Sequence, residues 1–429
     1  MLLHLDMDMM LGSFGSSSSS SRSHDHFDAV NTNHLRPLVH HHRTTDIDGV
    51  AAGLQYGRLS APPATQLRQL LLTCAELVSR SDLSAAHRLL SFLSANASPL
   101  GDSAERLAHQ FVRALSHRLH RHVIPLPPPD PASLQSSYLC LNQVTPFLRF
   151  IHLTANQAIL EAVDRGQRRA VHVVDFDIMH GVQWPPLMQA LADRYPPPAL
   201  RITGTGRDLE TLRRTGDRLA KFAHSLGMRF QFHPVLADDS GGDPPLSSIV
   251  FLPDETLAVN CTLYLHRLLK SGDRLRLFLR QIKEMRPKVV TVAEREASHN
   301  HPLFLKRFVE AVDHYAAVFD SLEATLPPSS RERAAVEQVW FGGEIADIVA
   351  AEGEKRGERH ERFGWWEEVM RGSGFRNVGL SPFALSQAKL LLRLHYPSEG
   401  YQLRVMPPDS NCFLLGWQNQ PLFSVSSWH

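Results

Sequence analysis

The stretch Val171-His-Val-Val-Asp-Phe-Asp-Ile-Met-His-Gly-Val-Gln-Trp184 decides the fold. Its opening residues, Val171, His172, Val173, Val174 and Asp175, form a short β-branched run that reads as a buried strand ending in a carboxylate. A loop follows, and then a helix begins near Pro185. Toward the C-terminus the same unit recurs. Leu200–Thr203 reads as a second strand, Asp208–Leu226 as a long helix, Arg229–His233 as a third strand and Thr256–Asn260 as a fourth. Helices then run through Met285, and Lys288–Ala293 is a fifth strand. Val- and Ile-rich strands alternating with helices imply a parallel sheet covered on both faces. The ending breaks the alternation. Ala384–Leu394 reads as a helix, and three strand-like runs follow: Tyr401–Met406, Cys412–Trp417 and Leu422–Trp428. The last two are joined by Gln418-Asn-Gln-Pro421, a tight hairpin. The expected class is therefore α/β: a methyltransferase-like, Rossmann-type, mostly parallel sheet with an antiparallel C-terminal edge, plus an all-helical cap.

The cap is read from the residues that precede the sheet. Leu67, Leu70, Leu71, Cys74, Leu77 and Val78 recur at helical spacing. Asp82 offers a cap for a second helix, and Asp102 or Ser103 for a third with Leu107, Phe111 and Leu115 on one face. Pro125, Pro127, Pro128, Pro129 and Pro131 read as a linker or exposed loop, and a helical pattern returns over Thr154–Val163. Residues 1–60 differ from the rest. The run Ser16–Ser21 and the histidines His24, His26, His40, His41 and His42 read as a disordered Ser/His-rich tail. The expected organisation is this tail, a helical cap over 61–165, an α/β core over 166–300, a helical insertion over 301–380 that joins the cap, and a C-terminal helix with antiparallel strands over 381–429.

Composition bounds the function. The chain has 429 residues, 43% hydrophobic and 21% charged, enough for a sizeable core. Its 45 basic and 44 acidic residues give a net charge of +1, which excludes bulk positive charge as a grip on nucleic acid or membrane. The four cysteines, Cys74, Cys140, Cys261 and Cys412, form no C-x-x-C pair, which argues against a disulfide framework or zinc ribbon. No uncharged apolar run is long enough to span a membrane.

Chemistry in an open α/β sheet belongs at the carboxyl ends of the strands. After the first strand, a nucleoside-binding loop wants glycines at alternate positions so that the backbone can approach its ligand. Here those positions hold Asp177, Met179 and Gly181. Two side chains therefore crowd the space, and the expectation is no cofactor and no metal. Asp175 with Asp177 could be an acid–base pair, but no nucleophile accompanies them, and Asp175 reads as a structural acceptor. Gly204-Thr-Gly206 reads as a tight turn. Glu294-Arg295-Glu296, with His299 and His301 just beyond, is the densest polar cluster at a strand end. It reads as an ion network tying the sheet to the cap, with a metal or acid–base site as the alternative. Leu67-Arg-Gln-Leu70-Leu71 and Leu265-His-Arg-Leu268-Leu269 are L-x-x-L-L patterns. Such stripes can dock in a partner groove or pack a core, and Leu67, Leu70 and Leu71 are the partner-binding candidates. The basic residues Arg201, Arg207, Arg213, Arg214, Arg218 and Lys221 are diluted by acids and read as a solvated helix.

Taken in order, these blocks resemble the GRAS family of plant transcriptional regulators from about residue 60 to the end. The resemblance is carried by the leucine-rich helices, by Ala155-Asn-Gln-Ala-Ile159 and by Val171–Asp175 with Gly181-Val-Gln-Trp184. Phe319–Leu326, the Arg295-Glu296 pair and the ending through Ser427-Trp428 add to it. Within the family the chain looks most like the Lateral suppressor branch. Two blocks depart: the expected Pro-Phe-Tyr is not cleanly present near Asn260–Leu265, and the terminal Ser-Ala-Trp reads Ser426-Ser427-Trp428. The resemblance implies a helical cap on a methyltransferase-like core. It implies a nuclear, non-enzymatic transcription regulator with a role in axillary meristem initiation and shoot branching. It also implies partners among other GRAS proteins and zinc-finger DNA-binding factors, with direct DNA contact and homo- or heterodimerisation left open. The alternative is an S-adenosylmethionine-type binder or methyltransferase.

Overall fold

Strand β1 (Ala170–Asp175) lies inside a nine-stranded sheet whose order is β3-β2-β1-β4-β5-β9-β8-β7, with β6 paired to β9 off this path. The computed structural model describes residues 64–120, 130–164, 170–237 and 246–429. The Ser/His-rich tail and most of the proline-rich run lie outside the described residues. β2 (Ala199–Gly206), β3 (Phe230–Leu236), β4 (Glu255–Thr262) and β5 (Val289–Arg295) all run parallel to β1. β9 (Gln420–Trp428) pairs antiparallel with β5. β8 (Phe413–Trp417), β7 (Tyr401–Val405) and the two-residue β6 (Asn377–Val378) complete the edge. The fold class is the one expected, with five parallel strands followed by an antiparallel edge. The β8–β9 turn is shorter than expected, two residues from Gln418, which adopts a left-handed φ of 52°.

Alternation along β1 sends Val171 and Val173 to one face and Val174 to the other. The first face is covered by α5 (Pro146–Asp164), α6 (Trp184–Ala192) and α7 (Leu209–Ser225) through Ile159, Leu187 and Leu212. The second is covered by α8 (Gly272–Glu284) and α12 (Phe363–Gly372) through Phe278, Ile282, Trp366 and Met370. His172 also faces the second side. It is fully buried, with Nδ1 accepting from Arg201 at 3.1 Å and Nε2 facing Thr203 Oγ1 at 2.8 Å. Arg201 in turn pairs with Glu255, so this member of the basic group is a core ion pair rather than a solvated residue.

The cap consists of α1 (Ala64–Ser79), α2 (Leu83–Asn96), α3 (Ser103–His120) and α4 (Pro131–Val144). Its starts are set by short acids: Asp82 accepts from Ala85 N, Asp102 from Glu105 N and Asp130 from Ser133 N. Pro131 therefore sits at the first turn of a helix and does not end a linker. α9 (Phe304–Thr325) and α11 (Gly342–Ala350) pack on α3, with the short α10 (Arg331–Ala335) and a π-helical turn (Val336–Phe341) between them.

Two boundaries differ from expectation. Helix α5, expected in the cap, joins cap and sheet: it packs on α4 and also on β4, β5 and β9, because Phe147, Ile151 and Ile159 leave it apolar on several sides. The insertion divides likewise. Its first half joins the cap, whereas α12 inserts Phe363, Trp366 and Met370 into the sheet-covering core beside Trp428. The remaining helix, α13 (Pro382–His395), lies against α5.

Candidate functional site at the carboxyl ends of the strands

The strand order reverses between β1 and β4, and the crevice there is where this kind of sheet accepts a ligand. Asp175 ends β1 at that point, level with Gly204 on β2 and Asn260 on β4. Both of its oxygens are already used. Asn260 Nδ2 donates to Oδ1 at 2.7 Å and Trp184 Nε1 to Oδ2 at 2.9 Å. Asn260 and Gln183 exchange hydrogen bonds, Thr291 donates to Asn260, and Asn156 from α5 donates to the Gln183 carbonyl. Burial pushes the Asp175 carboxyl up to about 7 despite these donors, with the Asp177 charge adding to the rise. This is a buried acceptor at the hub of a side-chain network that ties β1 to β4 and α6.

The following loop is filled in the same way. Asp177 and Met179 hold left-handed φ angles of 64° and 51°, positions that a glycine-rich loop would leave without side chains. Asp177 N donates to Thr205 Oγ1 at 2.9 Å, and its carboxylate is clasped by Arg267. Arg267 comes from the 3₁₀ helix Leu265–Lys270 that follows β4, so the ion pair bridges the crevice from one side to the other. Ile178 drops onto Gly204, where an added Cβ would stand 2.9 Å from its Cδ1. Gly181 turns at φ 63° against Thr215. From the cap, α4 lays Tyr138 beside His180, with ring centroids 5.8 Å apart. The end of β2, where a dinucleotide fold places an acid for the ribose, is Gly206, and the next acid, Asp208, is occupied in capping α7.

The triplet ending β5 is buried and each member grips a different element. Glu294 accepts from His266 through both the ring Nδ1, at 2.7 Å, and the backbone N. Arg295 pairs with Glu344 of α11 and lies over the rings of Phe341 and Phe423. Glu296 accepts from the backbone N of Phe363 at 3.0 Å, where α12 begins. Glu344 also accepts from Tyr315 Oη at 2.8 Å. Burial disfavours charge on His266, but the carboxylates of Glu294 and Glu358 outweigh it and hold the ring up at about 9. His299 is buried and held neutral by burial and by the neighbouring His360. His301 stands apart from this cluster, half-buried and accepting from Leu303 N. The residues that sequence reasoning missed here are Tyr138, Arg267, His266, Glu344, Glu358 and His360. His266 and Arg267 were hidden inside an L-x-x-L-L pattern read for its leucines. Glu358 and His360 lie in an irregular segment with no periodicity to flag them.

The leucine candidates fall mostly inside. Leu67 and Leu71 are each 2% exposed and pack in the cap core, whereas Leu70 is half-buried. The three do not form one outward stripe, because i and i+4 share the inward face and i+3 lies at its margin. In the second pattern Leu265, Leu268 and Leu269 are all buried, on a 3₁₀ rather than an α-helix. Ser427 Oγ donates to the Val378 carbonyl at 2.7 Å, which joins β9 to β6. Trp428 is fully buried with its Nε1 on Ser426 Oγ.

Comparison with known proteins gives the same architecture a family. The GRAS domain family matches residues 67–429. Scarecrow-like protein 18 of Arabidopsis thaliana is 51% identical over 84% of this chain and 91% of its own length. Protein MONOCULM 1 of Oryza sativa subsp. japonica is 49% identical over 84% of this chain and 88% of its own. The crystal structure of SCL7 in Oryza sativa superposes with a TM-score of 0.74 at 37% identity, covering 86% of this chain and all of that one. The chain belongs to the GRAS domain family, in company with its Lateral suppressor branch.

Proposed function

We propose that this chain is a nuclear transcription regulator that works by docking other proteins, and that it controls axillary meristem initiation and shoot branching in a plant. The observation that carries the reading is the filled crevice. Asp177 and Arg267 span the place where a methyltransferase would hold its nucleoside, and Asp175 is already bonded to Asn260 and Trp184. The sheet becomes a rigid support, and the cap and outer helices become the recognition surface. The partners are other GRAS proteins and zinc-finger DNA-binding factors, with DNA reached through them. Among the described residues no helix is long and apolar enough to cross a membrane.

Titration calorimetry with S-adenosylmethionine separates this reading from the enzyme alternative. No heat up to millimolar ligand is expected, and saturable micromolar binding overturns it. Partner contact at α1 runs through Leu70 and the exposed residues beside it, since Leu67 and Leu71 anchor the helix. A Leu70→Asp chain should stay soluble and lose partner pull-down, whereas Leu71→Asp should unfold. Disruption of the gene should leave leaf axils without buds, and normal branching contradicts the developmental part of the proposal. Direct DNA binding, if it carried the function, would weaken steeply with salt.

A further inference from the structure

His266, Glu358 and His360 place one ligand atom each within 4.8 Å of one another. His266 Nε2 lies 3.4 Å and His360 Nε2 2.9 Å from the same oxygen, Glu358 Oε2. Neither nitrogen makes a well-formed hydrogen bond, and both are cut off from water. The rings are 2% and 0% exposed. Two buried imidazole nitrogens thus converge on one carboxylate oxygen.

The opposite edge of each ring is held as a metal-bound histidine requires. Glu294 Oε2 is 2.7 Å from His266 Nδ1, and His299 Nδ1 is 2.9 Å from His360 Nδ1. A hydrogen on each ligand's Nδ1 leaves both Nε2 lone pairs pointed at the common centre, the carboxylate–histidine–metal arrangement. Two ligands at about 2.1 Å from a tetrahedral zinc stand about 3.4 Å apart, and the two nitrogens lie 3.4 and 2.9 Å from Glu358 Oε2 here. Two nitrogens and one carboxylate oxygen suit Zn²⁺ rather than the all-oxygen preference of Ca²⁺ or Mg²⁺.

We propose that His266, Glu358 and His360 form a zinc site that staples the irregular segment before α12 to the 3₁₀ helix after β4. A water or the second Glu358 oxygen completes the shell. The ion is structural: it fixes the segment that carries Arg267, and so the clasp over the crevice.

The test uses the full chain, freed of any affinity tag and loaded with Zn²⁺ or Co²⁺. Metal content by mass spectrometry is compared between the wild type and His360→Gln and Glu358→Gln. The comparison matters because the histidines of residues 1–60 are common to all three and cancel. The wild type should retain one more zinc per chain than either variant after dialysis. Its Co²⁺ form should show the intense visible bands of a four-coordinate site, absent in the variants. Glu294→Gln should keep the site but weaken it by about 10–100-fold, as loss of an orienting carboxylate does. Equal metal content in the three proteins overturns the proposal and leaves a proton-bridged network. If the variants do not fold, the wild type alone decides: Co²⁺ bands that appear, and vanish on adding dipicolinate, support the site. Six-coordinate or featureless spectra overturn it.

Discussion

At the end of β1 every side-chain polar atom of Asp175, Asn260, Gln183 and Trp184 has a partner. At the end of β5, about Glu294, Arg295 and the four histidines, Arg295 Nη1, His299 Nε2 and both ring nitrogens of His314 lack a hydrogen bond, and His266 Nε2 and His360 Nε2 share the one Glu358 oxygen. The two networks sit on the same edge of the same sheet, yet only the second has coordination to spare. A closed network fixes one arrangement of the chain and excludes ligands, since any newcomer must break a bond already made. An open network pays a desolvation penalty that an added partner can relieve. The place where such a sheet ordinarily takes a ligand is thus the inert one, and the candidate for a bound ion lies among the groups at the end of β5 and the segment before α12.

The comparison is broken most forcefully at Arg295. Its removal leaves Glu344 buried with only Tyr315 as donor, so Arg295→Ala should cost about 3–5 kcal/mol of unfolding free energy in urea titration. A double variant, Arg295→Met with Glu344→Leu, should recover most of that loss. If the double variant is no better than the single, the pair is not acting as a charge pair. Asp175→Ala comes next. It strands the Trp184 and Asn260 donors, and about 2–3 kcal/mol should be lost, with Asp175→Asn intermediate because one acceptor survives. A change below 0.5 kcal/mol (about the scatter expected for an inert surface site) would mean that the network is not a hub.

The third effect is a pH dependence in which the two faces of β1 oppose each other. The native Asp175 carboxyl keeps its proton to about 7, while the unfolded one releases it near the ordinary value of about 3.9. Its contribution is full at low pH and is lost as pH rises through that window. His172 runs the other way. Burial, with Arg201 and His233 adding to it, holds the native ring down at about 3, while the unfolded ring titrates at about 6.5. Its contribution is present above about 6.5 and is lost as pH falls. Between about pH 4 and 6.5 the two nearly cancel. Asp175→Asn removes one side of the balance, so its stability should drop toward pH 4 by up to about 1.4 kcal/mol per pH unit relative to wild type. His172→Gln should do the reverse. Urea midpoints at four pH values settle it, and parallel profiles for all three proteins would contradict the assignment.

How far these regions could be foreseen follows from what makes each one. β1 was legible because alternation is local: Val171, Val173 and Val174 show the strand and Asp175 its end. The crowding at Asp177 and Met179 was legible because the expected residue there is glycine, and its absence is visible one position at a time. The clasp was not, since Arg267 is 90 residues away in sequence and reaches Asp177 only when β4 lies beside β1. The same holds for His360 and Glu358, whose partners His299 and His266 come from the loop after β5 and the helix after β4. The L-x-x-L-L patterns misled for a related reason. A leucine stripe states which face is apolar but not whether a partner or the chain's own core covers it, and here Leu67 and Leu71 are covered from within.

The smallest effect is the most direct probe of the crevice. The Asp177–Arg267 pair keeps 18% and 29% of its side-chain surfaces in water, so its Coulomb attraction is partly screened. Asp177→Asn should therefore cost only about 0.5–1 kcal/mol, and the loss should shrink at high salt. The ligand result matters more than the stability. If the pair alone bars the crevice, Asp177→Gly with Met179→Gly should admit adenosyl ligands that the wild type refuses. Continued refusal is expected, because Ile178 still packs on Gly204 and Asp175 is still spent on Trp184 and Asn260. Binding by the double glycine variant would show that two side chains, and not the whole network, closed the site.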